Sequence, residues 1–192
     1  MSRPCAVLIS GAPATGKTTL AAALAPRLGA AVLDLDVATG PLVAVVSGLI
    51  GATDLSDARL AELTRGPRYA TLFALAEDSL RAGTSVVLVA PFTAERSVAG
   101  WDAVVDRLAP YGEVVLVWLH LPPDQLVARL SRRAAARDAD KIKSPAAFLA
   151  AVDVRPPQAS HLGLDATAGV GDLVELLLDD LARRGLAIDG KA

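Results

Sequence analysis

The chain has 192 residues, of which 53% are hydrophobic and only 4% aromatic, which predicts one domain with a core of aliphatic side chains. The formal net charge of −2 argues against a general attraction to nucleic acid or to anionic membranes, although local basic patches stay open. The single cysteine excludes an internal disulfide, and the sequence has no Cys/His cluster with the spacing of metal ligands.

The first apolar segment of the chain ends at Ser10-Gly11 and is too short for a signal peptide or a membrane span. The later apolar runs have the length of strands. We therefore expect a cytoplasmic protein without a membrane segment.

Short β-branched runs alternate with longer helical stretches, a pattern typical of a parallel sheet with crossover helices. The runs are apolar on both faces, so helices are expected on both sides of the sheet. The predicted strands cover residues 6–10, 31–34, 85–90, 113–119 and 161–166. The predicted helices cover residues 17–28, 57–81, 94–108, 123–137 and 171–184.

Residues 11–18, between the first strand and the first helix, read Gly-Ala-Pro-Ala-Thr-Gly-Lys-Thr and match G-x-x-x-x-G-K-[ST]. Glycine at both ends lets successive backbone N–H groups turn toward an anion, and the helix adds its positive N-terminus. We predict a nucleotide phosphate site in which Lys17 reaches the β- and γ-phosphates and Thr18 ligates Mg²⁺. The predicted nucleotide-binding residues are Gly11, Ala12, Pro13, Ala14, Thr15, Gly16, Lys17, Thr18 and Thr19.

Two interruptions separate the predicted elements. Residues 37–82 are too long for a plain crossover between the second and third strands. Residues 138–160 combine charged side chains with three prolines, which favours a mobile flap.

The acidic residues that could serve a phosphate site follow the second strand, in Val-Leu-Asp-Leu-Asp. Asp34 and Asp36 would share one face if the strand continues, at the carboxyl end where open parallel sheets hold ligands. The third and fourth strands do not end in a Walker-B acid, and the Asn-Lys-x-Asp and DxxG sequences are absent. These absences weigh against GTPases and large motor proteins.

The Gly-x4-Gly-Lys-Thr loop, the Asp-x-Asp pair, the insert after it and a basic helix at 129–137 together resemble the small P-loop kinases. That group includes shikimate kinase, gluconate kinase and chloramphenicol phosphotransferase. The resemblance implies a single domain over 1–192 with the α/β three-layer P-loop NTPase fold, a five-stranded parallel sheet of order 2-3-1-4-5 with helices on both faces. It also implies an acceptor-binding insert at 37–82, a lid region at 129–158, and ATP and Mg²⁺ as cofactors.

The same resemblance implies roles for side chains outside the loop. Asp34 would lie near Mg²⁺, Asp36 on the acceptor hydroxyl, and Arg68, just after a predicted helix break at Gly66-Pro67, on the acceptor. Arg133 and Arg137 would act as lid arginines, ahead of Arg129. The glycine run that follows strand three in shikimate kinase is missing, because this chain has Ala-Pro-Phe-Thr at 90–93, which argues against shikimate as the acceptor.

The sequence thus predicts an ATP-dependent phosphotransferase that acts on a hydroxyl of a small metabolite or antibiotic. Two alternatives stay open. One is an ATP-binding switch or ATPase that is read by a partner protein. The other is a nucleoside-monophosphate kinase, which would use arginines of the insert such as Arg59, Arg65 and Arg68 for the acceptor phosphate. The sequence leaves the acceptor and the oligomeric state open.

Overall fold

A computed structural model describes residues 3–52, 57–133, 148–150 and 152–186. The elements, in chain order, are β1 (Cys5–Ser10), α1 (Lys17–Leu28), β2 (Ala31–Asp34), α2 (Leu35–Ile50), α3 (Ala58–Arg81), β3 (Val86–Val89), α4 (Val98–Leu108), β4 (Glu113–His120), α5 (Pro123–Arg133), β5 (Leu162–Asp165) and α6 (Val170–Arg183). None of the helices within the described ranges is long and apolar enough to cross a membrane.

The five strands form one parallel sheet in the order β2-β3-β1-β4-β5, which confirms the predicted fold. β1 lies at the centre, and all six of its residues are buried. Its end is level with its neighbours, since Ile9 pairs with Val89 of β3 and Ser10 with Trp118 of β4. The loops after these strands therefore lie along one edge of the sheet, where parallel sheets bind ligands.

Two apolar layers hold the helices on the sheet. Cys5, Val7 and Ile9 of β1 belong to the layer that packs against α1, α5 and α6. Ala6 and Leu8 belong to the opposite layer, formed with α3 and α4. The alternation along β1 fixes which face each helix covers, because successive side chains of a strand point to opposite faces.

The second strand does not continue to Asp36, so the condition under which Asp34 and Asp36 would share one strand face is not met. β2 ends at Asp34 and α2 begins at Leu35. The Asp34 carboxylate accepts the backbone N–H groups of Asp36, at 2.9 Å, and Val37, at 3.4 Å, and so caps the helix. Asp34 is therefore the residue at which the chain leaves the sheet and enters the insert.

The predicted helix break at Gly66-Pro67 is also wrong, because α3 runs without interruption from Ala58 to Arg81. Proline removes one backbone hydrogen bond from a helix interior. Buried side chains on both sides of Pro67, among them Leu60 and Leu72, hold α3 in place across it. Arg68 is consequently a helical residue in the middle of the insert.

Part of the predicted flap packs firmly on the loop after β3. Residues 134–147 lie outside the described residues, but 152–160 are described. Arg96 is only 6% exposed, and its guanidinium donates to the carbonyls of Asp153, at 3.3 Å, and Arg155. The Arg96 carbonyl accepts the N–H groups of Gln158 and Ala159, at 2.9 and 3.2 Å. This stretch is thus anchored, which corrects the expectation of a mobile flap over its whole length.

Candidate active site

The phosphate loop, residues 11–18, joins β1 to the first turn of α1 and depends on glycine at two positions. Gly11 has φ +150° and Gly16 has φ +101°, values that side chains rarely permit. A Cβ added at Gly11 would lie 2.3 Å from the carbonyl oxygen of Leu119 in β4. Gly11 is therefore required both for its backbone angle and for the close approach of the loop to β4.

Lys17 folds back over the loop that precedes it. Its ammonium group donates to the carbonyls of Gly11, at 2.9 Å, and Ala12, at 2.8 Å. The Thr15 hydroxyl, itself buried, donates to the Ala12 carbonyl at 2.9 Å and stiffens the same turn. The predicted lysine is thus positioned at the mouth of the loop by carbonyls of the loop itself.

Thr18 and Asp34, the two predicted magnesium ligands, lie side by side. The Thr18 hydroxyl donates to one Asp34 carboxylate oxygen at 3.1 Å, while the other oxygen caps α2. Mg²⁺ prefers oxygen ligands and takes one or two carboxylates together with substrate phosphates and water. The donor set fits the ion, and no described group of three or more His, Cys, Asp or Glu side chains offers a more complete protein cage.

Asp36 and Arg68, the two predicted acceptor-binding residues, are in direct contact. Arg68 Nη2 lies 2.6 Å from Asp36 Oδ1, and Arg68 Nε donates to the Thr39 hydroxyl at 2.8 Å. Thr39 is buried and donates in turn to the Leu35 carbonyl at 2.6 Å. The Asp36 side chain stays 62% exposed, so its carboxylate is held in position and remains open to a ligand.

A second group of side chains, one turn away on α3, contacts the loop after β3. Arg65 donates to the Thr93 hydroxyl at 3.1 Å, lies 3.8 Å from the Glu95 carboxylate and stacks over the Tyr69 ring. The Tyr69 hydroxyl accepts the N–H of Phe92, whose φ of +50° is unusual for a bulky residue. Burial, with the Glu95 charge as a lesser cause, raises the pKa of Tyr69 to about 12.

Among the described basic side chains of α5, Arg129 is the one that contacts the phosphate loop. Its guanidinium donates to the Thr15 carbonyl at 3.4 Å and to the Ala166 carbonyl, just after β5, at 2.6 Å. Arg133 ends α5, where its backbone but not its side chain is described, and Arg137 lies outside the described residues. Their role as lid arginines stays a prediction.

Sequence reasoning named Arg65 only for the nucleoside-monophosphate kinase alternative. It missed the partners of Arg65, which are Tyr69, Thr93 and Glu95, and it missed Arg96. A signal was available, because residues 90–96 follow the strand beside β1, and polar residues at that edge of a parallel sheet belong to the ligand side. A small cavity of about 10 Å³ also borders the phosphate loop. It is lined by Ala12, Thr15, Trp118, Leu119, His120, Leu121 and Val154.

A family model described as an AAA domain matches residues 7–156, from β1 through the anchored stretch before β5. The chain belongs to the AAA domain family. In this AAA domain, the Gly-x4-Gly-Lys-Thr loop lies between β1 and α1, as predicted from the sequence. None of the curated protein sequences matches it.

Solved structures similar to this AAA domain chain include small kinases. A candidate kinase from Chloroflexus aurantiacus is 22% identical, with a TM-score of 0.65, and the superposition covers 95% of this chain and 98% of the kinase chain. A sugar kinase from Janibacter is 20% identical with a TM-score of 0.64, covering 93% and 95%. The Mycobacterium tuberculosis APS kinase, in complex with AMPPNP and APS, is 16% identical with a TM-score of 0.63, covering 95% and 99%. The resemblance to small P-loop kinases is thereby confirmed at the level of fold.

Proposed function

We propose that this protein is an ATP-dependent kinase that transfers the γ-phosphoryl group to a hydroxyl of a small molecule. One observation carries the proposal. Thr18, Asp34, Asp36 and Arg68 form a continuous chain of contacts, at 3.1, 2.9 and 2.6 Å, that runs from the phosphate loop to the insert. A phosphate site and a carboxylate held beside it are the parts that positioning catalysis of phosphoryl transfer requires.

The phosphate loop would bind the ATP phosphates through its backbone N–H groups and the N-terminus of α1. Lys17 now donates to two loop carbonyls, and it would turn its ammonium group toward the β- and γ-phosphates. Thr18 and Asp34 would hold Mg²⁺, which supplies positive charge that offsets the charge of the phosphates.

Asp36 would orient the acceptor hydroxyl and take its proton. The hydroxyl oxygen attacks the γ-phosphorus in line, the bond to the bridging β–γ oxygen breaks, and ADP leaves with that oxygen. Arg68 holds the Asp36 carboxylate at 2.6 Å, so the base needs no rearrangement before it acts. Arg133 and Arg137 are proposed to neutralise charge on the phosphoryl group in transit, as lid arginines do in the kinases that the sequence resembles.

Arg129 is proposed to support ATP binding, because its guanidinium joins the phosphate loop to the residue that follows β5. This role is separate from that of the acceptor side, which lies near the other end of the sheet beyond β1. ATP binding and acceptor binding should therefore respond to different substitutions.

The experiment is to incubate the purified protein with ATP and Mg²⁺, alone and with a panel of sugars, nucleosides, hydroxy acids and antibiotics, and to follow products by mass spectrometry. A compound that gains one phosphoryl group supports the proposal and identifies the acceptor. If no compound gains one, and ATP hydrolysis rises only when cell extract is added, the switch alternative replaces the kinase.

A further inference from the structure

The two arginines of α3 that reach the ligand edge of the sheet each face a carboxylate of this chain. Arg68 lies 2.6 Å from Asp36, at the start of α2, and Arg65 lies 3.8 Å from Glu95, in the loop after β3. The arginines are three residues apart, so they project from the same side of the helix. Their partners come from two different parts of the chain, α2 and the loop after β3.

Glu95 is the carboxylate that would be more strongly destabilised by the loss of its arginine. Its side chain is 13% exposed, and one of its carboxylate oxygens is fully buried with no hydrogen-bond donor among the described residues. Arg65 is the cation that faces it. A buried carboxylate that loses its cation is strongly destabilised. Arg65 cannot turn to an anionic ligand without leaving the Glu95 charge uncompensated.

Arg68 is less exposed than Arg65, at 25% against 46%, and its partner has a task in the proposed reaction. The Asp36 carboxylate must face the acceptor hydroxyl, so it stays at the acceptor whichever way Arg68 turns. An anionic group brought to Arg68 would also meet the negative charge of Asp36. The four charges sum to zero, and the other polar groups that the arginines contact are the neutral hydroxyls of Thr39 and Thr93.

From this balance of charge we infer that the acceptor is a neutral polyhydroxylated compound of the sugar type, recognised through its hydroxyl groups and not through a carboxylate or phosphate. The inference rests on the proposed kinase function and narrows it. It argues against nucleoside monophosphates and sugar acids as acceptors, because the two described arginines that reach this edge of the sheet are each already paired with a carboxylate.

The test compares neutral compounds with their charged relatives at equal concentrations of Mg-ATP. The pairs are glucose and gluconate, xylose and xylonate, ribose and ribose 5-phosphate, and glycerol and glycerol 3-phosphate. We expect the neutral member of the pair that reacts best to have a kcat/KM at least about tenfold higher than its charged relative. A charged member preferred by that margin would overturn the inference while leaving the kinase function standing. If none of the eight compounds gains a phosphoryl group and the wider panel also fails, the proposed function fails and the inference with it.

A charge-neutralising substitution tests the cause of the preference. Glu95→Gln keeps the size of the side chain and releases Arg65 from its ion pair, so the preference for the neutral compound should fall at least about fivefold. Glu77→Gln is the matched control. It lies on α3 itself, is 19% exposed and pairs with Arg81 and Arg107, away from the phosphate loop. The control should leave the preference unchanged.

Arg65→Gln provides the opposite change, and the comparison of neutral and charged compounds on the unmodified protein covers the case in which a variant does not fold. It removes the cation and leaves the carboxylate, so discrimination against the charged compound should increase. The inference would be overturned if the ratio of kcat/KM for the neutral compound to that for its charged relative changed in the same direction in both variants. It would also be overturned if this ratio stayed unchanged in every variant that folds. Circular dichroism and thermal melting establish which variants are folded.

Discussion

In the phosphate loop, the groups proposed to face the nucleotide are main-chain groups and side chains of eight consecutive residues. In the insert, the groups proposed to face the acceptor come from α2, α3 and the loop after β3, which are far apart in the sequence. The loop is fixed by backbone angles and by one close approach, that of Gly11 to Leu119. The insert is fixed by pairs of side chains such as Asp36 with Arg68. A short motif can describe the first kind of site but not the second.

The phosphate loop and the insert also differ in how deeply the elements that carry them are buried. All of β1, which leads into the loop, is buried between two layers of helices. α2 instead buries only Leu35, Thr39 and Val43, and it also carries exposed apolar side chains. These exposed residues are Val37, Leu42, Val45 and Leu49. Changes in the insert should therefore affect acceptor use before they affect the fold.

The largest effect is expected when the loop loses its cation. Lys17→Ala should lower kcat by about 10³-fold, because a positioned positive charge on the transferred phosphoryl group is lost. The fold should be retained, since the lysine contacts loop carbonyls at the surface of the core. Steady-state kinetics and circular dichroism check both points. Arg27→Ala, an exposed cation in the last turn of the same helix, is the control, and an active, folded Lys17→Ala protein would remove Lys17 from the mechanism.

The next effect concerns the insert. Asp36→Asn should lower kcat by about 10²-fold or more, the usual range for loss of a general base, while ATP binding is unchanged. Isothermal titration with a non-hydrolysable ATP analogue measures the binding, and turnover measures kcat. If ATP binding and turnover fell together, Asp36 would belong to the nucleotide side, and the separation of the two regions would be wrong.

A smaller effect is expected on the nucleotide side alone. Arg129→Met should weaken ATP binding by about tenfold, or about 1.4 kcal/mol, because the link between the loop and the residue after β5 is lost. The KM for the acceptor should stay within twofold, roughly the scatter expected where no contact is changed. A change confined to the acceptor KM would contradict the proposed role of Arg129 in ATP binding.

The smallest effect is on stability within the acceptor side. Tyr69→Phe leaves the buried N–H of Phe92 without its acceptor, which should cost about 1–3 kcal/mol of unfolding free energy at pH 8. Because the pKa of Tyr69 is raised to about 12, the folded state favours the neutral phenol. Its contribution is complete below pH 10 and is lost as the pH rises toward 12.

Urea unfolding at pH 8 and pH 11 measures this pH dependence. The difference between the parent protein and Tyr69→Phe should shrink by about 1 kcal/mol at pH 11, since the unfolded phenol has then released most of its proton. An equal difference at both pH values would show that the phenol of Tyr69 titrates as it does in water.

The sequence was sufficient for the strands and the phosphate loop, because both depend on local patterns: buried runs of strand length and a glycine-bounded turn. The order of the strands came from the resemblance to the small P-loop kinases. The sequence was not sufficient for α2, whose β-branched residues, Gly40 and Pro41 disfavour a helix that packing on α3 nevertheless holds. The partners of Arg65 and Arg68 could not be predicted either. Glu95 and Asp36 lie about thirty residues from them in opposite directions, and only the folded sheet brings these positions together.

Arg96 holds the backbone groups of the irregular stretch before β5 in hydrogen bonds, as the backbone groups of strands and helices are held. The amide hydrogens of Gln158 and Ala159 are bonded to the carbonyl of this buried residue, and its guanidinium holds two carbonyls of the same stretch. These amides should exchange with deuterium as slowly as those of the core, and proteases should cut elsewhere first. By its amide exchange rates, this loop would therefore be grouped with the sheet that follows it.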